Sequence, residues 1–278
     1  MTVLPPIQTR ALGALTPGLF NPEEYDLFIE INPTTCCYLL FNHKEQKADY
    51  LGEYQATEPY EFSNLILLNQ VFAKDKMLQL SKFNQIVISS SLSQYDILPN
   101  EVELVPLLQQ KWNKTDPIAA IGAHVRYQQE TQIIATIQAY FPTADYKHRI
   151  TGLMQHALLN NLKAADQVVL DFCSKSITIL AFKNNELQLL NSYSYSGAED
   201  IIYYLQLVFV QLQFDQLKTP VWLSGEISRQ SLIWNELIKY FDAIQLVHRN
   251  SAIKLNSAIA ELPSSFYFSL IGLLPCAS

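Results

Sequence analysis

Basic residues are in the minority: 19 Lys and Arg stand against 26 Asp and Glu in 278 residues, a formal charge of -7. The deficit is steepest in residues 1–140, with 9 basic side chains against 15 acidic ones. Nucleic-acid binders draw most of their affinity from cationic side chains that displace counterions, so a chain without a basic stripe argues against that partner. Long apolar runs are also missing. The longest, Ile201–Phe214 and Phe266–Leu274, are short or broken by Gln and Ser, below the ~20 residues that cross a bilayer. The start, Met-Thr-Val-Leu-Pro-Pro-Ile, has no basic region ahead of an apolar core, so no signal peptide is expected.

Cysteine is scarce, and Cys36, Cys37, Cys173 and Cys276 form no Cys-x-x-Cys pair. That spacing frames neither a secreted disulfide scaffold nor a zinc site; reduced thiols packed as small apolar groups in the cytoplasm fit better. The five histidines, His43, His124, His148, His156 and His248, show no metal-ligand spacing and suit surface or satisfied core positions. No serine sits in Gly-x-Ser-x-Gly and no cysteine has an evident base, so no catalytic residue is assigned. What the chain does have is apolar bulk: 49% hydrophobic and 16% charged residues make a globular protein, of a length that suits one large domain or two lobes.

A repeat favours two. Val168–Phe182 reads strand, tight polar turn, strand, and Leu27–Phe41 matches it without a gap, with an acid fourth in each (Asp171 and Glu30). Residues 1–24 hold four of the 13 prolines and read as an extended N-terminal arm. A first lobe over 25–163 is expected to open with strands near 26–31, 35–41 and 48–54. A helix follows from Pro59 to about Met77, then a strand at 85–89. Less regular strands are expected near Glu103 and over 119–127, with helices over 130–140 and 151–163, the last bridging the lobes. The second lobe, 164–278, has strands at 167–172, 176–183 and 187–195, the last turn carrying Asn184-Asn185, where positive φ costs least. Ser196-Gly-Ala-Glu199 reads as a capping box opening a helix to Phe214. That helix carries Tyr203, Tyr204, Phe209 and Phe214 and is apolar nearly all round, as a buried core helix is. Strands at 221–224 and 243–247 alternate with helices at 229–240 and 266–274. The order β-β-β-α-β-α-β-α is the ribonuclease-H-like plan, a mixed α/β sheet flanked by helices, and two copies facing a cleft make the actin-like plan.

Here the chain resembles the superfamily of actin, DnaK-type chaperones and sugar kinases. Within it the chain is most similar to an uncharacterised bacterial family of actin-like proteins, with the PilM-type pilus-assembly ATPase a relative. The likeness rests on the order of Val102–Pro106, Phe141-Pro142 with His148, Gly197-Ala-Glu-Asp200, Leu223-Ser-Gly-Glu226 and the ending from Leu262-Pro to Phe268. The resemblance implies a nucleotide cleft. In ATP-using members two hairpin turns read Asp-x-Gly-Ser/Thr and a third loop carries paired glycines, so that bare backbone N–H groups reach phosphate while the acids hold Mg²⁺ through water.

This chain departs at each place. The first turn places Glu30, Asn32, Pro33 and Thr34, with Asn for glycine and a proline that removes a donor. The second places Asp171, Cys173, Lys175 and Ser176, with cysteine at the glycine position; a non-Gly residue forced to positive φ costs roughly 1–2 kcal/mol. The third holds one glycine, Gly225, followed by Glu226, whose charge about 4 Å from a phosphate would cost on the order of 1 kcal/mol in water and about 4 at an intermediate dielectric. The expectation is an interaction or scaffold protein with a degenerate cleft, a protein partner or self-association, and neither cofactor nor metal. Two other readings stay open. One is a divergent Mg-ATP-binding protein in which Asp171 and Lys175 still serve the nucleotide; the other is a nuclease using Asp171, Glu199 and Asp200, which the acidic surface opposes. Against all of these, Glu30 and Asp171 read simply as strand-end acids bonded to turn N–H groups.

Overall fold

A computed structural model describes residues 7–13, 15, 20–58, 61–80, 82–99, 114–129, 131–160 and 164–274. The expected strand near Glu103, Pro59, residues 161–163 and Cys276 lie outside them. Contacts gather the described residues into two compact units: one takes in Met1–Gly152, Ser251–Glu261 and Leu273–Ser278, the other Leu153–Asn250 and Leu262–Gly272.

The first unit is built on a mixed sheet. Strands β1 (Ile7–Leu12), β2 (Tyr25–Ile31), β3 (Thr35–Asn42), β4 (Lys47–Ala56) and β5 (Gln85–Ser90) belong to it. The stretch read as an arm thus supplies an edge strand at β1, antiparallel to β4. Helix α1 (Leu65–Lys74) follows β4 and starts later than expected, because Asn64 caps it by accepting from the Ile66 N–H at 3.0 Å. Phe62 stays outside the helix, its N–H on the Pro33 carbonyl at 2.7 Å. After β5 come β6 (Tyr95–Pro99), β7 (Lys114–Ile118) and β8 (Ala123–Tyr127), which form a separate antiparallel sheet in the order β6-β8-β7. Helix α2 (Thr131–Tyr140) then leads to β9 (Asp145–His148), and the main sheet runs β1-β4-β3-β2-β5-β9. Leu27, Ile29 and Ile31 of β2 and Tyr38 and Leu40 of β3 face one way, onto Leu67, Leu68 and Phe72 of α1 and Ile133 and Ile137 of α2.

Helix α3 (Arg149–Asn160) carries the division between the units, after Gly152. In the second unit β10 (Gln167–Cys173), β11 (Ser176–Lys183) and β12 (Glu186–Ser194) form the expected meander, with Asn184 and Asn185 both left-handed at φ 54° and 66°. Helix α4 (Ala198–Leu212), β13 (Val221–Gly225), α5 (Leu232–Leu237) and β14 (Ile244–Leu246) complete a sheet of order β12-β11-β10-β13-β14. The tail returns twice: β15 (Lys254–Leu255) pairs with β4 and leads to α6 (Ser257–Ala260) in the first unit, while α7 (Phe268–Ile271) packs against β13 in the second.

Two expectations about α4 are corrected. Ser196 and Glu199 make no capping box: the cap position falls on Gly197, which has no side chain to give, and the Asp200 carboxylate instead accepts from the Ser196 N–H at 2.8 Å. Nor is α4 buried all round. Ile201, Leu205, Val208 and Phe209 face the core, whereas Tyr203, Leu207 and Val210 face solvent at 58%, 49% and 76% exposure. An apolar residue on the outer side of a helix leaves no trace in an apolar count.

The two main sheets share one plan. Three antiparallel strands are followed by two parallel ones, so β4-β3-β2-β5-β9 matches β12-β11-β10-β13-β14. This is the mixed α/β ribonuclease-H-like order, found twice.

Candidate functional site

The repeat read from sequence is a repeat in register. Leu27 pairs with Leu40 and Glu30 with Cys37 in the first hairpin, as Val168 pairs with Ala181 and Asp171 with Thr178 in the second. Since side chains alternate along a strand, Glu30 falls on the face of its sheet opposite the α1–α2 core, and Asp171 on the corresponding face of the other sheet. Each acid also has a serine beside it on the parallel neighbour strand: Ser89 opposite Glu30 and Ser224 opposite Asp171. Both serines are fully buried, and each reaches the carbonyl before its acid, Ser89 to Ile29 at 3.4 Å and Ser224 to Leu170 at 3.5 Å.

In the first turn Glu30 is 3% exposed and its Oε1 takes two bonds, from Arg149 Nε at 3.3 Å and from Asn32 Nδ2 at 3.1 Å. Its Oε2 is buried with no hydrogen-bond partner. Asn32 also donates to Thr35 Oγ1 at 3.3 Å and accepts from Ser91 Oγ at 2.8 Å, while its backbone N–H bonds the Thr35 carbonyl at 2.8 Å. The Thr34 carbonyl accepts from the Ala56 N–H at 2.8 Å. No residue from Glu30 to Thr35 has positive φ, so Asn32 bears no strain in place of a glycine. The Glu30 carboxyl is thus paired with an arginine 119 residues on, held by its own unit.

In the second unit Asp171 is fully buried and accepts from Ser224 Oγ at 2.7 Å. Cys173 is buried and pairs with Ser176 across the turn, Ser176 Oγ donating back to the Cys173 carbonyl at 2.9 Å. The left-handed residue is Ser174, at φ 56°, and not Cys173, which stays on the strand; the strain expected at the cysteine falls one residue later. Lys175 is exposed at the apex. Tyr195 closes over this turn, donating its hydroxyl to the Ser174 carbonyl at 3.1 Å and its N–H to that of Lys175 at 3.0 Å.

The third loop joins this group, because β13 lies against β10. Gly225 sits at φ 81°, and a β-carbon there would stand 2.0 Å from the Phe172 carbonyl oxygen, so only glycine fits. Its N–H donates to the Ser265 carbonyl at 2.8 Å, that of Glu226 to Phe172 at 3.0 Å, and that of Ile227 to Gly225 at 2.8 Å. Ser265 Oγ fastens the loop again through the Ile227 carbonyl at 2.6 Å. The Glu226 side chain is exposed; burial first, and then its negative charge, push the Tyr195 phenol up.

Several groups escaped sequence reasoning because their partners are distant. Asp116 accepts from Thr151 Oγ1 at 2.7 Å, the His148 N–H at 2.8 Å and Tyr127 Oη at 3.3 Å, and burial holds its carboxyl above the usual range. Among the described residues no three or more His, Cys, Asp or Glu side chains gather as a metal would need. Cys36, Cys37 and Cys173 are buried thiols outside any disulfide, and burial raises the Cys36 and Cys37 thiols well above their ordinary range, which keeps them unreactive.

The doubled sheet places the molecule among proteins of the actin-like ATPase fold. In solved structures it is similar to a Bacteroides thetaiotaomicron VPI-5482 protein with that fold and unknown function, at 19% identity and TM-score 0.70 over 86% of this chain and 95% of that one. It is also similar to a PilM-PilN type IV pilus biogenesis complex, at 13% identity and TM-score 0.54 over 91% and 98%. A third likeness is the ethanolamine utilization protein EutJ from Carboxydothermus hydrogenoformans, at 10% identity and TM-score 0.53 over 95% and 94%. The chain belongs to the family described as "Protein of unknown function (DUF3822)", which matches residues 18–244. No curated protein matches it.

Proposed function

We propose that this chain is a bacterial, cytoplasmic interaction or scaffold protein that keeps the actin-like fold without nucleotide chemistry. The third loop carries the reading: phosphate is held by bare amides, and those of Gly225, Glu226 and Ile227 are bonded to carbonyls of their own unit. Releasing them to a phosphate would break bonds worth about 0.5–1.5 kcal/mol each. Glu226 adds a carboxylate where an anion would have to approach, and Arg149 occupies the Glu30 carboxyl from within the first unit. These features weigh against Mg-ATP. Support for a partner-binding role is the PilM likeness, since that protein was solved in complex with PilN. Buried thiols outside any disulfide suit a reducing compartment. Lys175, exposed on the second turn, favours the alternative of a divergent Mg-ATP-binding protein.

A melting curve separates the two. A ligand at about 100 times its Kd adds about 2.7 kcal/mol, or several degrees for a chain of this size. With Mg-ATP in the millimolar range the expected shift is nil; a clear upward shift, lost in Lys175→Ala, would establish the alternative.

A further inference from the structure

The hairpins that open the two sheets agree beyond their turns. Both carry a bulge at the same place, between Leu40 and Phe41 in the first and between Ala181 and Phe182 in the second. Both also share one bond past the strand end, from the Ala56 N–H to the Thr34 carbonyl and from the Tyr195 N–H to that of Lys175. Register therefore aligns Leu51–Gln55 of β4 with Leu190–Ser194 of β12, Leu51 on Leu190 and Tyr54 on Tyr193. Ladder bonds alternate along an antiparallel pair, so Leu190, Ser192 and Ser194 turn their N–H and C=O groups away from β11, as Leu51, Glu53 and Gln55 turn theirs away from β3. In the first unit those groups meet a strand: β1 runs antiparallel along Leu51–Ala56, and β15 pairs with Lys47 and Ala48. In the second, β12 ends the sheet among the described residues. Side chains of its own unit stand in there, Asn191 Oδ1 accepting from the Ser192 N–H at 2.9 Å and the Tyr204 hydroxyl donating to the Ser194 carbonyl at 3.3 Å. Strand edges left to solvent are ordinarily blunted by lysine, proline or a bulge. From Leu187 to Tyr195 there is neither a charge nor a proline, and the bulge lies back at Gln188.

We infer that the outer edge of β12 takes an extended segment of a partner polypeptide as an added antiparallel strand, in the place that β1 fills on β4. The chain itself shows the kind of segment such an edge accepts. β1 is six residues, Ile-Gln-Thr-Arg-Ala-Leu, half-buried only at its two apolar ends, so main-chain pairing is most of its hold on β4. Its Arg10 faces Glu53, whereas the matching position of β12 is Ser192. The partner segment is therefore of the same extended type, with a neutral residue at that position. β1 of a second copy is the poorer occupant: it is tethered beside its own β4, which competes at millimolar effective concentration, and Arg10 would exchange a carboxylate for a hydroxyl. The inference rests on reading the chain as an interaction protein, and it names the contact as main-chain pairing.

The test is backbone-amide NMR of the full chain titrated with a synthetic peptide, the sequence of residues 5–14 carrying Arg10→Thr. Shifts are expected at Leu190, Ser192 and Ser194, with Leu51, Glu53 and Gln55 unmoved beneath the tethered β1. Ser192→Pro removes a donor that points away from β11, so peptide binding is expected to fall at least tenfold with an unchanged circular dichroism spectrum. Ser192→Glu recreates the pairing of the first unit. It is expected to raise affinity for the unaltered peptide, which keeps Arg10, relative to the threonine peptide by up to about fivefold, the worth of one cross-strand charge pair. No shift along β12, or binding that survives Ser192→Pro, overturns the inference. A ratio unmoved by Ser192→Glu overturns the antiparallel register. The nucleotide-free reading fails on a different observation, a melting shift with Mg-ATP.

Discussion

Glu30 and Arg149 make an ion pair with both side chains at 5% exposure or less. Burying two charges is expensive even when they meet, and removing one partner leaves the other stranded, at a cost of about 3–5 kcal/mol. Asn32 alone cannot replace the guanidinium, since Glu30 Oε2 already lacks a hydrogen bond. Arg149→Met is therefore expected to lower unfolding stability by about 3–5 kcal/mol, with urea denaturation as the measure. Adding Glu30→Gln removes the stranded charge, so the double variant should be more stable than Arg149→Met alone. A double variant whose loss equals the sum of the single losses would mean that the two groups are not coupled.

The hairpins at β2–β3 and β10–β11 were legible because each is an apolar run interrupted once by turn formers, and a gapless echo fixes their equivalence without any contact information. β1 was not, since its burial pattern alternates little and four of its six residues are exposed. β9 has four residues, too few to show a period, and β15 has two. The acids of the candidate site were visible by position. Arg149, Ser265 and Tyr195 were not, because sequence does not show which carbonyl an amide will meet. The serine that follows the apolar run of each parallel strand, Ile-Val-Ile-Ser89 and Val-Trp-Leu-Ser224, marks the shared position in the sequence. These two serines occupy the same place in the two elements but do different work. Ser224 bonds a carboxylate at 2.7 Å, whereas Ser89 has only a long contact to the Ile29 carbonyl. Hydrogen bonds to charged groups contribute about 1.5–3 kcal/mol and neutral ones about 0.5–1.5, so Ser224→Ala should cost about twice what Ser89→Ala costs in urea unfolding. Equal losses would show that the bond to Asp171 adds nothing to the repeat.

Each unit buries one histidine that acid acts on. In the first, His148 Nδ1 accepts from the Ile150 N–H at 3.2 Å and Nε2 bonds the Ser93 carbonyl at 3.1 Å, with Tyr95 and Tyr127 rings packed 4.8 and 5.4 Å away. In the second, His156 Nε2 accepts from the Asn250 N–H at 3.3 Å, Nδ1 bonds the Phe268 carbonyl at 2.8 Å, and the ring stacks on Phe268 at 3.8 Å. Each neutral ring is satisfied at both nitrogens, and a second proton must displace a backbone N–H. Burial is the main cause that brings both down to about 4 from an ordinary 6.5. The unfolded chain then binds the protons that the folded one refuses, so the stabilisation is complete above pH 6.5 and is lost as pH falls from 6.5 towards 4. Each histidine contributes a slope of at most about 1.4 kcal/mol per pH unit. Asp116, held up by burial, works the other way above its ordinary value of 3.8, so the fall is sought at the upper end of the histidine range, between pH 6.5 and 5. Unfolding free energy measured there should fall with pH, and His148→Gln or His156→Gln, though less stable at neutral pH, should each remove about half of the slope. A wild-type stability flat from pH 6.5 to 5 would mean that the folded molecule accepts these protons without strain, and that neither ring is locked in its neutral form.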